Sequence, residues 1–269
     1  MNGQAYPQLA LLTCHGKGEV IGPLLAEHCG TGLVVTDAFD TDQLGTFSGE
    51  IARTLPALDC ATRKAELACE LTGLSVGLGS EGGVGEVPAG GLLPWHQELV
   101  VLVDSERDLR IVGRHEGPAF QRQQRCTDWP TLAAFFNDAG PEQAVLLRNK
   151  EQLRKGLTTL DNLKLAFEEL GGEVDAELDL RAHLSVRRRQ RIAAATHNLI
   201  EQLQSLCPAC DSPGFWVERG EPGLPCAACG QATWRMRARI WHCPACQYQV
   251  RRPVKEALAE PRHCQVCNP

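Results

Sequence analysis

Four Cys-x-x-Cys pairs stand beyond residue 206: Cys207/Cys210, Cys226/Cys229, Cys243/Cys246 and Cys264/Cys267. Two cysteines flanking two residues form a tight knuckle that offers both sulfurs to one ion, and zinc favours tetrahedral thiolate sites of this kind. Each site takes two knuckles, so the pattern predicts two Zn²⁺ ions. Both are structural, because four protein ligands leave no position for a catalytic water. A segment this short has little core and depends on its metal to fold. Thiolates also hold iron–sulfur clusters, which stays open as an alternative. Successive pairs are separated by 15, 13 and 17 residues. Sequential pairing closes loops of 15 and 17 residues, and crossed pairing closes loops of 32 and 34. Loop-closure entropy mildly favours the shorter loops, so sequential pairing is the expectation. With strands at 215–219, 235–241 and 248–252, residues 207–269 read as a double zinc ribbon.

The other five of the 13 cysteines, at 14, 29, 60, 69 and 126, are scattered and read as apolar filler. The chain has 269 residues and no basic leader followed by an apolar stretch. Its thiols are therefore expected to stay reduced, and its expected location is the cytoplasm. No run of about 18 apolar residues is present, so no spanning helix is expected. The net charge of −6 hides an asymmetry: residues 1–180 carry 14 Lys/Arg and 27 Asp/Glu, while residues 181–269 carry 13 and 6. An acidic body with a basic tail implies modules with different partners.

The first 185 residues alternate short apolar runs with amphipathic stretches. Strands are expected at 9–13, 32–38, 74–79, 98–104, 109–113 and 144–148, and helices at 19–29, 56–72, 132–137 and 158–170. That alternation predicts an α/β fold, a mixed sheet covered by helices on both faces, followed by a small C-terminal zinc-ribbon module with two four-cysteine zinc sites. The helix over 56–72 has an apolar stripe of Leu58, Ala61, Ala65, Ala68 and Leu71. A last helix, 186–206, links the α/β domain (1–185) to the ribbon (207–269).

Three loops that follow strands concentrate functional residue types, and ligands of open α/β sheets sit at the carboxyl ends of strands. His15-Gly16-Lys17 opens a helix, where the N-terminus and a lysine favour an anion. The segment 37–53 holds Asp40, Asp42, Thr46, Glu50 and Arg53, and its clustered carboxylates suit Mg²⁺, which takes oxygen ligands and keeps waters for a phosphate. Ser80-Glu81-Gly82-Gly83-Val84-Gly85 reads as a glycine-rich turn whose N–H groups could form an anion nest. An ordinary turn or a solvated acidic loop is the competing reading of each.

The motifs HGK at 15–17, DTDQLGTFSGEIAR at 40–53, SEGGVG at 80–85, KGLTTLDNL at 155–163, DLRAH at 179–183, CPACDSPGFWV and GLPCAACG resemble an uncharacterised bacterial and archaeal family, a domain of unknown function. Relatives in that family tend to have HGKE where this chain has Gly18, and NPTR where it has Ser185-Val186-Arg187-Arg188. A fainter resemblance is to the inosine/xanthosine triphosphate pyrophosphatases, through Gly45-Thr46-Phe47, Ala61-Thr62-Arg63-Lys64-Ala65 and Gly79-Ser80-Glu81-Gly82-Gly83. It implies Mg²⁺-dependent cleavage of a nucleoside triphosphate.

Whether the chain is an enzyme stays open. As an enzyme it is expected to be a metal-dependent phosphohydrolase resembling a nucleotide pyrophosphatase. Asp40, Asp42, Glu50 and Glu81 would act on a phosphorylated ligand held by His15, Lys17, Thr46, Arg53, Lys64, Ser80, Gly82 and Gly83. As a binding protein, its ribbon would grip nucleic acid or another protein. Arg187, Arg188, Arg189 and Arg191 crowd the start of the last helix, where the helix dipole disfavours cations. Arg235, Arg237 and Arg239 alternate in an expected strand near Trp234 and Trp241, facing either a nucleic acid or the acidic domain.

Overall fold

A computed structural model describes residues 6–44, 55–85 and 94–269. The chain divides into two compact units, Met1–Asp104 with Val112–Leu199, and Ser105–Ile111 with Ile200–Pro269.

The first unit holds, in order, β1 (Gln8–Leu12), α1 (Gly18–Cys29), β2 (Gly32–Thr36), α2 (Ala57–Thr72), β3 (Val76–Gly85), β4 (Trp95–Asp104) and the part of β5 (Leu109–Pro118) beyond Ile111. The strands form one sheet, β2-β1-β3-β4-β5. β1 is parallel to β2 and β3, and β3 is antiparallel to β4, so the sheet is mixed. Leu9 to Leu12 are buried, as a continuous apolar run in a central strand must be. Two glycines of β3 admit α2: a Cβ at Gly77 would lie 2.1 Å from the Ala65 carbonyl oxygen, and one at Gly79 would lie 1.8 Å from that of Ala61. The helix therefore packs through its alanine face. Ala61, Ala65 and Ala68 are buried as the stripe predicts, but Leu71 is 43% exposed, while Cys60, Lys64 and Leu67 are buried in addition.

The expected glycine-rich turn at 80–85 is instead the second half of β3. It pairs in register with β4 from Ser80 opposite Val100 to Gly85 opposite Trp95. None of its glycines has positive φ, so Gly82 and Gly83 form no anion nest. Gly82 makes room for a carboxylate: its Cβ would lie 2.3 Å from Glu98 Oε1.

A second sheet in this unit combines β6 (Gln123–Cys126), β7 (Val145–Arg148), β8 (Leu153–Leu157) and β9 (Val174–Leu178) in the order β6-β9-β7-β8, every pair antiparallel. α3 (Trp129–Ala139) links β6 to β7, and α4 (Leu160–Glu169) links β8 to β9. Asp128 and Thr159 cap these helices by accepting the N–H of Thr131 and Asn162. Leu132, Phe135, Val145, Leu147, Leu163 and Phe167 centre the core here. The sequence pattern shows neither β6 nor β8, which are short and polar. β9, Val-Asp-Ala-Glu-Leu, does alternate buried with half-buried residues as a one-faced strand should.

α5 (Val186–Gln204) buries Ile192, Ala195, Leu199 and Leu203, while Leu206 lies beyond it and is exposed. The second unit holds β10 (Trp216–Pro222), β11 (Met236–His242) and β12 (Gln249–Pro253), an antiparallel meander. Its core includes Cys207, Phe215 and Cys243, with Trp241 and Val250 against them. Among the described residues no helix is long and apolar enough to cross a membrane.

Candidate metal centres and a cation-lined cleft

The eight paired cysteines gather into two groups, Cys207, Cys210, Cys243 and Cys246, and Cys226, Cys229, Cys264 and Cys267. The pairing is crossed, first knuckle with third and second with fourth, which overturns the sequential expectation. The meander explains it. Trp216 at the start of β10 lies opposite His242 at the end of β11, so the knuckles just before β10 and just after β11 meet. The even knuckles meet at the other end, where Ala227 N–H donates to the Ala259 carbonyl and Ala259 N–H to that of Pro225. Doubling a loop costs only about 0.6 kcal/mol of closure entropy, far less than the strand pairing supplies.

The groups fit zinc. Four thiolates about 2.3 Å from a tetrahedral ion stand about 3.8 Å apart. Here Cys207–Cys246 and Cys210–Cys243 are 3.7 Å apart, Cys226–Cys267 3.9 Å and Cys229–Cys264 3.6 Å. A disulfide would need about 2.05 Å. The N–H groups of Ala209, Ala228 and Cys246 point at Cys207, Cys226 and Cys243 Sγ. In each group two cysteines are buried and two exposed.

A cleft of about 200 Å³ opens in the first unit, between the end of β1 and the β7–β9 sheet. His15, Lys17, Lys64 and Glu81 line it, and so do Arg122, Lys155, Glu177, Asp179, Arg181 and Arg188. Lys17 is buried at the N-terminus of α1 and donates from Nζ to the Ser80 carbonyl at 2.7 Å and to Ser80 Oγ at 3.2 Å. Lys64 on α2 reaches Glu81 Oε2 on β3 at 2.5 Å, both side chains buried. Behind them Glu98 Oε1 accepts from Arg188 Nε at 2.8 Å and lies 3.2 Å from His96 Nε2. Arg188 Nη1 also donates to the Leu180 carbonyl at 2.6 Å. At the rim Arg181 grips Asp179 through Nε and Nη2, and Gly156 N–H donates to the same carboxylate. His15 stacks on His183 at 5.6 Å, reached by a turn at Gly16 whose φ of +67° only glycine takes without strain.

This geometry perturbs charge. Burial, and next the charge of Arg188, push the Lys17 ammonium down to about 7. Burial alone would raise Glu98, but Arg188, the His96 hydrogen bond and Lys17 outweigh it and hold the carboxyl down at about 2.

Of the residues expected to act, His15, Lys17, Lys64 and Glu81 thus share one cleft, and Ser80 holds Lys17. Asp40 is exposed and does not line it, although its neighbour Thr41 does. Thr46, Glu50 and Arg53 lie outside the described residues, as does the Asp42 side chain. Among the described residues only the two cysteine groups bring three or more His, Cys, Asp or Glu ligand atoms together, so Mg²⁺ gains no support. Glu81 pairs with Lys64. The arginines at the head of α5 also differ from expectation. Arg188 is buried against Glu98, Arg189 reaches the Ala182 and His183 carbonyls, and Arg191 reaches that of Pro118 and lies over the Phe120 ring. Sequence reasoning missed Glu98, although a carboxylate inside an apolar strand run was a signal. Its partner, 90 residues away, left none.

The family model described as Domain of unknown function (DUF6671) matches residues 64–269. No curated protein and no solved structure matches the chain.

Proposed function

The chain belongs to the DUF6671 family, and from that premise we propose that its α/β unit binds a phosphorylated small molecule of nucleotide type in the cleft, while structural zinc holds the ribbon together. One observation carries the reading. Lys17, Lys64 and Arg188 on the buried floor stand against Glu81 and, behind the cleft, Glu98, while the further buried carboxylate, Asp179, is matched by Arg181, so one cation is in excess. An uncompensated buried charge is costly, and here it falls on Lys17, whose ammonium is destabilised. An anion in the cleft supplies the missing negative charge and draws a proton onto Lys17. Arg122, Lys155 and Arg181 add cationic donors around the opening. Hydrolysis would call on Asp42 and Glu50, so the reading here is of binding.

The test is a thermal-shift screen of the zinc-loaded chain with inorganic pyrophosphate and nucleoside triphosphates, with and without added Mg²⁺. A bound ligand at about 100 times its Kd adds about 2.7 kcal/mol of stability. The shift is expected to grow as pH falls through about 7 and to vanish in a folded Lys17→Met variant. Absence of any shift in the wild-type protein, or an undiminished shift in Lys17→Met, overturns the reading.

A further inference from the structure

The ribbon unit has a concavity of its own, of about 170 Å³. Leu224 and Val254 give it an apolar lining. Trp234 and Met236 stand beside them, 56% and 44% exposed, large apolar surface that the ribbon leaves in water. The Trp234 ring is braced edge-on by His263, centroids 4.7 Å apart.

The arginines around it divide into two sets. Arg237 and Arg251 both pair with Glu221. Arg235, Arg239 and Arg252 have no carboxylate partner among the described residues, and Arg235 and Arg239 line the concavity. Arg239 and Arg252 sit directly opposite each other on β11 and β12. Like charges at facing positions of an antiparallel pair repel. Arg252 is held there over the Trp241 ring, 4.5 Å from its centroid. A sheet chosen for stability alone would place a carboxylate opposite one of them.

We propose that this face of the ribbon is a binding site for single-stranded nucleic acid, with one unpaired base stacked on Trp234 and the flanking phosphates on Arg235, Arg239 and Arg252. An exposed aromatic ring with the Arg235 guanidinium 5.9 Å from its centroid, Arg239 in the same concavity and Arg252 opposite Arg239 on the next strand together match a base and its phosphates. The occupant is single-stranded because a paired base keeps its faces inside the duplex. Glu256 at the edge adds an acceptor for base N–H groups.

Fluorescence anisotropy tests it, using the zinc-loaded full chain and labelled DNA and RNA single strands of about 12 nucleotides, with a duplex as control. Binding to the single strands is expected to exceed binding to the duplex and to weaken steeply between about 50 and 200 mM salt. Trp234→Ala should weaken it about tenfold, with Trp234→Phe recovering most of the loss. Arg239→Ala should lower the salt slope by about one. Zinc content and circular dichroism monitor the fold. Should Trp234→Ala lose zinc, Arg235→Ala/Arg239→Ala gives an independent reading through the slope. No single-strand binding at low salt, a preference for the duplex, or an unchanged slope in the arginine variants overturns the proposal.

Discussion

The two units hold polar groups away from water by opposite means. The ribbon gathers eight sulfurs whose charge one kind of ion can neutralise, and its small core is partly made of those same cysteines. The α/β unit has a full apolar core and buries charges beside it, Lys64 with Glu81 and Arg188 with Glu98. In the ribbon the ligand set is the fold. In the α/β unit the charges are carried by a fold that would stand without them, so they are available for a ligand. Cooperativity should therefore be metal-dependent in one unit and metal-independent in the other.

The largest effect expected is on zinc. The wild-type chain should hold two ions, and Cys243→Ser should lose one and unravel the end of the ribbon built around it, while the other cysteine group and the α/β unit keep their structure. Structural zinc is worth about 10–16 kcal/mol in small modules. Crossed pairing sharpens the test: Cys207→Ser/Cys243→Ser should still hold one ion, whereas Cys207→Ser/Cys226→Ser should hold none. Metal analysis with circular dichroism reads both, and an iron content or an equal count in the two double variants breaks the account.

Next in size is the buried pair behind the cleft. Arg188→Met leaves Glu98 without its cation and should cost about 3–5 kcal/mol in denaturant unfolding. Its pH profile should reverse as well. In the wild-type chain the Glu98 carboxyl is held down at about 2 from an ordinary 4.5, so its contribution is complete above pH 4.5 and is lost as pH falls toward 2. Without Arg188, burial dominates, the carboxyl rises above its ordinary 4.5, and acidification toward pH 4.5 from above should relieve the variant.

Gly79→Ala should cost about 1–3 kcal/mol, because its Cβ would meet the α2 backbone. Zinc content should not change, since the damage is confined to the α/β unit.

The smallest effect concerns Lys17. Its folded-state value of about 7 lies below the ordinary 10.5, so the unfolded chain binds the extra proton between those limits. Stability should rise with pH there by about 1.4 kcal/mol per unit near pH 8, and Lys17→Met should lose that component of the rise. Thermal melts of both proteins from pH 7 to 9 check it.

Legibility followed sequence distance. Knuckles, helix caps and amphipathic helices are written in neighbouring residues, so the zinc ligands and most of α1 to α5 could be read from spacing and periodicity. The glycines at 80–85 misled because glycine has two uses, turning a chain and making room. Gly82 stands where the Glu98 carboxylate passes, a neighbour that only the β3–β4 register supplies. The arginines heading α5 misled for a similar reason: Arg188 opposes the helix dipole because a buried carboxylate waits for it.

By itself, then, the sequence determined which cysteines could hold a metal and that an α/β body precedes a ribbon, and it singled out His15, Lys17, Lys64 and Glu81, which line one cleft. Tertiary structure alone decided which knuckles come together, because an up-and-down meander sends odd knuckles to one end and even ones to the other. It alone also brought Lys17 to Ser80 across 63 residues and Glu98 to Arg188 across 90. The charge balance of a buried site depends on which side chains meet in space, and the cost of leaving one of them unpaired is settled only when the sheets close over it.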